Sequence, residues 1–591
     1  MDIKLNTTNI KKQELINKIQ DYEIISFDVF DTLIMRKTMF PVDVFDIISQ
    51  KIKRDDINIE DFRNQRIKAD NDIAQTSPNI YEIYNQLKKN TGISEIEKNQ
   101  VLQYEIETEA SVLIRREDVV EIFYYAVNCG KSVYLISDMY LPKAIIEYFL
   151  SNLNIQGYED ILVSCDYRRP KTGGLFADFK DRVKSNSILH IGDNINSDIK
   201  CAQLAGIDTF RIESAIDLMK KSSFYDIQRF PSNLNERSII GMFIAYAFNS
   251  PFVAMDDKKR IVIGGEYDWA YLFVAPLVTG FMLWLFKVLQ MKKYEGILFS
   301  SRDGYLIKQL YDSIPVNYCR DRLPEGLYFY VSRVACSKAA IMDDEDIKWI
   351  AGPKCQGPME KVVRERYEIE YLNTQNTLTE EEDLLDYALL NKERIYEKSK
   401  TIRENFLSYI DTLGIKRGKK YAFFDFVSCG SCQLFLDHIM PVELEGLYCC
   451  LYNSYEEQKA KLPIHSYFYN NHPRNPESNF FENYLQLEVI MTSYEPSIVS
   501  YDRDGRPVFA DEVRGQDELL FVKKVQKAIM DFWRDFINNL WDYYGDGIRN
   551  VVVDELFKYS KECYTNTRCS NLLNMNLLND FGQEVIEIRR K

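Results

Sequence analysis

Four short segments, in fixed order within the first 200 residues, constrain this chain more than any other feature. They are residues 24–33 (IISFDVFDTL), 134–138 (YLISD), 169–171 (RPK) and 188–198 (ILHIGDNINSD). Three of the four open on an apolar run that reads as a buried strand, and each run ends in polar residues. In an open α/β sheet the C-terminal edge of the strands is where ligands sit. The order therefore predicts a parallel, Rossmann-like sheet carrying acidic and small polar groups along one edge.

Length and charge narrow the possibilities further. At 591 residues the chain exceeds one hydrophobic core, so two to four domains are expected. The net charge of −15, with no dense basic stretch, argues against nucleic acid as a partner. Residues 1–20 are polar and lack a signal-peptide core, and the twelve cysteines are irregularly spaced. The expectation is reduced thiols in a cytoplasmic protein. Residues 269–286 hold no charge, which reaches the threshold for a membrane span. Pro276, Thr279 and Gly280 interrupt the run and no second span exists, so a helix buried in an α/β domain is expected, without stable membrane insertion.

Strand-like and helical runs alternate over 22–36 and 131–212, which gives a core domain over 1–212. Between them, 40–128 is polar, with apolar residues three and four apart at 43–52 and 80–87, and reads as a helical insert. Residues 213–260 read as a connector. A second α/β domain is expected over 261–516, with strands at 296–300, 327–331, 421–426 and 446–451 and a helix-rich stretch over 343–416. A helical tail, 517–591, carries Trp533 and Trp541.

The four segments resemble the motifs of the haloacid dehalogenase (HAD) superfamily, whose members mostly transfer phosphoryl groups through an aspartyl intermediate. The resemblance covers about the first 212 residues and implies a helical cap at 40–128. It makes Asp28 the nucleophile, Ser137 the hydroxyl that binds the transferring phosphoryl group, and Lys171 the cation that offsets its charge. It also implies Mg²⁺ held by Asp28, the backbone carbonyl of Phe30, Asp193 and Asp198, and a hard, all-oxygen set of that kind suits Mg²⁺. His190 lies inside its strand and reads as core.

One departure matters. Most HAD phosphatases carry a second Asp two residues after the nucleophile, the general acid for the leaving oxygen; here that residue is Phe30. General acid catalysis contributes roughly 10²–10⁴ in rate. Three consequences stay open: a substrate with a good leaving group, an acid from elsewhere in the chain, or a site that binds without turnover. An aromatic here is also similar to the true, metal-independent haloacid dehalogenases, but those lack the doubled acidic fourth segment. The expected activity is therefore Mg²⁺-dependent phosphoryl hydrolysis or transfer on a phosphorylated small molecule or sugar phosphate. The competing reading is a binding or scaffold protein that has lost turnover. The sequence sets no oligomeric state.

In the second half, 299–304 (FSSRDG), 330–333 (YVSR), Asp425 with 430–433 (GSCQ), and 494–497 (YEPS) look like features of two-domain HAD-type proteins encoded among bacterial cell-surface polysaccharide genes. Three of them are strand-to-helix turns with small polar residues. Such turns expose backbone N–H groups at a helix start, and arginine adds bidentate anion recognition. Arg302, Asp303, Arg333, Asp425, Gly430, Ser431 and Gln433 are the candidate residues for a phosphorylated or sugar-nucleotide ligand. Cys429 and Cys432 form a C-x-x-C at a helix start, for which redox chemistry is a lesser alternative.

Overall fold

Ile24–Phe27 (β1) is buried at every residue, as a central parallel strand requires, because helices cover both faces of such a sheet. The remaining strands of the first half are Ile34–Arg36 (β2), Leu113–Arg115 (β3), Ser132–Ser137 (β4), Asp160–Val163 (β5), Ile188–Gly192 (β6) and Asp208–Arg211 (β7). Five of them form a parallel sheet in the order β5-β4-β1-β6-β7. Connections from β1 run outward on one side and those from β6 on the other, so the order reverses between β1 and β6. Phe27 lies opposite Leu135 and Ile191, which brings Asp28, Ser137 and Asp193 to the same edge. The computed structural model describes all residues except 1–2, 316–322, 353–357, 373–380, 453–460, 472–476, 565–573, 580–583 and 590–591.

The insert leaves and re-enters the core through the antiparallel pair β2–β3. Its helices are Asp43–Arg54, Phe62–Ile73, Ile80–Thr91 and Glu95–Val112. Two start at reciprocal capping boxes, Asn79 with Glu82 and Ser94 with Glu97, so local sequence fixes where they begin. The last stretch of the expected insert behaves differently. Glu117–Asn128 is an apolar-faced helix whose Phe123 ring packs 5.7 Å from Phe27 of β1, so it belongs to the core layer.

The insert sits on the polar edge of the sheet. The backbone N–H of Ile80 donates to the Tyr140 carbonyl after β4 (2.8 Å), and Arg168 pairs with Glu82 (2.6 Å). Arg66, fully buried, donates to both carboxylate oxygens of Glu105 at 2.8 Å and lies against the rings of Phe45, Tyr84 and Tyr140. A buried guanidinium is tolerable only with such pairing.

The segment 213–260 is not a loose connector. It contains the buried helix Leu234–Ala247, whose Arg237 pairs with Asp43 and Asp46 of the insert at 2.7 Å. A Cβ on Gly241 would lie 2.4 Å from the Lys37 carbonyl, so only glycine permits this approach. By internal contacts the chain divides into two units. Unit 1 is Met1–Ile263 with Asp535–Asp546 and Lys561–Asn566; unit 2 is Gly264–Arg534 with Gly547–Ser560 and Thr567–Lys591. Within unit 1, Lys37 pairs with Asp535, and Asn235 donates to the carbonyls of Asp542 (2.9 Å) and Asp546 (2.8 Å).

Unit 2 is a second α/β body. Gly296–Ser300 (β8), Glu325–Phe329 (β9), Lys420–Ser428 (β10), Glu443–Tyr452 (β11) and Ile464–Asn470 (β12) form a parallel sheet ordered β12-β11-β10-β8-β9, which reverses between β8 and β10. Four helices fill 344–412, the expected helix-rich insert, and Ile498–Tyr501 (β13) pairs with Pro507–Phe509 (β14). The apolar run forms one helix, Glu266–Met291, with 83% of its most apolar window buried inside the protein. Phe281 packs 5.4 Å from Phe424 of β10, and the widened turn at Ala270–Val274 precedes Pro276, which lacks the N–H of a regular turn. Trp533, also core, donates to Ser313 Oγ at 2.9 Å.

The expected helical tail is corrected at its end. Helices Gln516–Asn539 and Asn550–Tyr564 are followed by an antiparallel pair, Asn574–Asn579 (β15) with Glu584–Arg589 (β16). Residues 565–573, 580–583 and 590–591 of that tail lie outside the described residues.

Candidate active site

At the β1/β6 reversal, Asp28, Asp193 and Asp198 each offer a carboxylate oxygen, and all three oxygens lie within 4.8 Å of one another. Lys171 Nζ donates to Asp28 Oδ1 (2.5 Å) and Asp198 Oδ1 (2.6 Å) and is buried. Ser137, 1% exposed, ends the neighbouring strand β4. The structure thus brings four of the sequence-predicted residues into one cluster and sets Ser137 on the same edge. Phe30 follows β1 directly and is half-buried, with the Arg36 guanidinium 4.9 Å above its ring.

Local sequence explains the geometry. Gly192 ends β6, and a Cβ there would lie 2.6 Å from Asp198 Cβ and Cγ, so glycine is what lets Asp198 fold back on the strand. Asn194 Oδ1 accepts from the N–H groups of Asn196 (2.9 Å) and Ser197 (3.1 Å), which turns the chain into the helical segment carrying Asp198. The Asn194 N–H donates to Asp198 Oδ2 at 3.0 Å. His190 is core, as expected: its Nδ1 lies 2.9 Å from Ser26 Oγ and its ring packs edge-on to Phe176.

The electrostatics are those of a site short of positive charge. Burial pushes the Asp28 carboxyl up, opposed by Lys171 and reinforced by Asp198. Burial, with Asp28, Asp31 and Asp198 nearby, does the same to Asp193. Asp198 goes the other way: against burial, Lys171 and His190 hold it well below the usual carboxylate range. One lysine does not balance three clustered carboxylates. The donor set is all oxygen, so a hard divalent cation fits both the chemistry and the deficit.

Two residues without an assigned role hold the site together. Asp138 Oδ1 accepts from the backbone N–H of Lys171 at 2.7 Å, fixing the segment that delivers the lysine. Its place next to Ser137 was the available signal. Arg116, fully buried, donates to the carbonyls of Asp31 (2.6 Å) and Asn249 (2.9 Å) and so fixes the turn after Phe30. In that turn Asp31 has φ 59°. Nothing in the sequence near Arg116 marks it.

In unit 2, Arg302, Asp303, Arg333, Asp425 and Ser431 line one cavity of about 370 Å³ at the β8/β10 reversal. Gly430 precedes the helix Ser431–Ile439 with φ 87°, a conformation glycine adopts without strain. Gln433 is corrected: it is fully buried and does not line the cavity. Its Oε1 accepts from the Tyr448 hydroxyl at 3.0 Å, and its Nε2 faces the carbonyls of Leu444 and Pro463. Cys432 is buried, and its thiol is pushed well up by Cys336 and burial.

No protein-family model matches the chain, and no curated protein does. Solved structures similar to it are HAD hydrolases and dehalogenases. A magnesium-bound HAD hydrolase, YfnB, from Bacillus subtilis is 19% identical, over 32% of this chain and 88% of that one, with a TM-score of 0.25. A 2-haloacid dehalogenase from Pseudomonas syringae pv. Tomato is 16% identical over 32% and 86%, with a TM-score of 0.25. A hydrolase from Streptococcus pneumoniae is 16% identical over 34% and 98%, with a TM-score of 0.21.

Proposed function

We propose that unit 1 is a Mg²⁺-dependent phosphohydrolase or phosphotransferase of the HAD type, acting on a phosphorylated small molecule of the sugar-phosphate kind. The observation that carries the reading is the convergence of Asp28, Asp193, Asp198 and Lys171 at the reversal of a parallel sheet. An Asp28 oxygen bonds to phosphorus as the ester oxygen leaves with the bonding electrons. Lys171 stabilises the transferring group and Ser137 hydrogen-bonds it, while Asp138 and Asn194 hold the segments that carry Lys171 and Asp198. Water, or an acceptor hydroxyl, then displaces Asp28 from phosphorus and carries the phosphoryl group away. Asp28, the Phe30 carbonyl, Asp193 and Asp198 would hold Mg²⁺, which when bound neutralises charge on the phosphoryl group.

The finer resemblance of the chain supports a role in cell-surface polysaccharide or sugar-phosphate metabolism, the irregularly spaced cysteines support a cytoplasmic enzyme, and the acidic net charge speaks against a nucleic-acid substrate. The test is phosphate release from acetyl phosphate and p-nitrophenyl phosphate with Mg²⁺ or EDTA, for the wild type and Asp28→Asn. Activity that needs both Mg²⁺ and Asp28 is expected. Phe30 favours one other reading, a binding protein without turnover. Rates equal to Asp28→Asn on both substrates would select it.

A further inference from the structure

The cavity of unit 2 is built from the C-terminal ends of adjacent parallel strands. Ser300 to Asp303 follow β8, Ser332 and Arg333 follow β9, Asp425 to Ser431 end β10, and Tyr452 ends β11. It lies where the connections of β8 and β10 diverge, the place an open parallel sheet leaves for a ligand. Its volume, about 370 Å³, is that of a small-molecule site.

The lining carries both signs of charge, Arg302 and Arg333 with Asp303, Asp425 and Glu488. Arg333 opens the helix Arg333–Ala340 and Ser431 opens the helix Ser431–Ile439. Among the described residues no side chain caps the second helix, which leaves its first N–H groups open to another acceptor. Arg302 lines the same cavity, and its guanidinium donates to Ser497 Oγ. Burial and Asp303 push the Asp425 carboxyl up to about 8, against the Phe426 N–H, Ser300 and Arg333. A carboxyl pair in such a place offers hydrogen-bond partners to hydroxyl groups. A purely anionic ligand has no use for two carboxyl groups in its pocket, and a neutral sugar has no use for an arginine beside an open helix start.

We propose that this cavity is a second ligand site, for a phosphate-bearing polyol such as a sugar phosphate. The phosphate lies against Arg333, Ser431 and the start of the helix Ser431–Ile439, and the hydroxyl groups meet Asp303 and Asp425. Turnover at Asp28 is not required for it.

The test is titration calorimetry on the full chain in EDTA, with inorganic phosphate, glucose 1-phosphate, ribose 5-phosphate and glycerol 3-phosphate as probes. An Asp28→Asn background prevents turnover. Adding Lys171→Met removes the main cation of the unit 1 site and should leave one site intact. In that background Arg333→Met should weaken phosphate binding roughly tenfold to a hundredfold, the worth of a charged hydrogen-bonded contact. Ser431→Asp should do the same while keeping the fold, since an acidic residue suits a helix start but repels phosphate. At least one polyol phosphate should bind tenfold tighter than inorganic phosphate, and Asp425→Asn should erase that advantage while sparing inorganic phosphate. Loss of all binding with Lys171→Met overturns the proposal, as does unchanged binding in Ser431→Asp. If no polyol phosphate binds tighter than inorganic phosphate, the pairing of hydroxyl groups with Asp303 and Asp425 is wrong.

Discussion

Replacing Phe30 by Asp tests the proposed chemistry directly, because it returns a proton donor to the position that lacks one. The structural cost is modest. The Phe30 ring is half-buried beneath Arg36, so the change forfeits a cation–π contact of about 0.5–2 kcal/mol. It also forfeits part of the ~1.5–3 kcal/mol that full burial of the ring would bring. Whether the new carboxyl holds its proton depends on opposing fields. Arg36 would lower its pKa, but Glu109 already takes that guanidinium at 2.8 and 2.9 Å, leaving little net field. Asp28, Asp193 and Asp31 act the other way, since buried carboxylates in one site raise each other. The expected outcome is that the new acid delivers a proton to the leaving oxygen.

A sugar phosphate, with an alkoxide leaving group, should then react up to roughly 10²–10⁴ faster, equivalent to about 2.7–5.5 kcal/mol off the barrier. Acetyl phosphate, whose leaving group is already a stable anion, should gain little. Initial rates of phosphate release from acetyl phosphate, p-nitrophenyl phosphate and a sugar phosphate, for the wild type, Phe30→Asp and Phe30→Asn, measure this. If Phe30→Asp is no better than Phe30→Asn on the sugar phosphate, or if the wild type already turns over all three equally, another group donates the proton and the reasoning about Phe30 fails.

Three further outcomes are expected. Lys171→Met should lower phosphate release by roughly 10²–10³, the scale for removing one preorganised charge partner, in steady-state assays at saturating Mg²⁺; a loss below tenfold would refute its role. Gly192→Ala forces Asp198 away from a Cβ that would lie 2.6 Å from it, and a displacement near 1 Å costs about 10² in rate. Wild-type activity there would show that Asp198 is dispensable. In unit 2, burial would raise the Glu445 carboxyl, but Lys292, Lys420 and His465 overrule it and hold it at about 2. A depressed carboxylate stabilises above its unfolded pKa, and that contribution fades as pH falls toward 2, so Glu445→Gln should cost roughly 2 kcal/mol at pH 7 and less at pH 4. Denaturant unfolding at both pH values checks it, and a gap that widens on acidification would contradict the sign.

The parts of the fold that sequence makes legible are those set locally. Buried strands ending in Asp28, Ser137 and Asp193 announce themselves as apolar runs with a polar stop, and the insert helices start at capping boxes readable from Asn79-to-Glu82 and Ser94-to-Glu97 spacing. What stayed hidden depends on distant partners. Leu234–Ala247 is buried on most of its surface, polar residues included, and shows no helical stripe, because Gly241 admits Lys37 on one face and Asn235 meets Asp542 on another. β12 reads IHSYFYN, with polar residues placed where a central strand would have none, since it is an edge. Gln433 has the sequence context of a ligand residue, yet its amide serves Tyr448 in the core. Arg116 fixes the Phe30–Asp31 turn from 85 residues away, a relation that no local pattern encodes.

The return of Asp535–Asp546 to unit 1 has a consequence for how the polypeptide is made. Between Ile263 and Asp535 the ribosome adds 272 residues, which at ~5–20 residues per second takes roughly 14–54 s. Throughout that interval Lys37 has no Asp535, and Asn235 lacks the two carbonyls it bonds in the finished protein. Unit 1 is therefore begun first on the ribosome yet gains its remaining contacts only near the end of synthesis. A chain stopped after Ile263 would keep Asp28, Ser137, Lys171, Asp193 and Asp198 while leaving the buried helix Leu234–Ala247 partly bare, a surface suited to chaperone capture. Full-length synthesis, rather than the sheet that bears Asp28, is the step that commits unit 1 to its finished form.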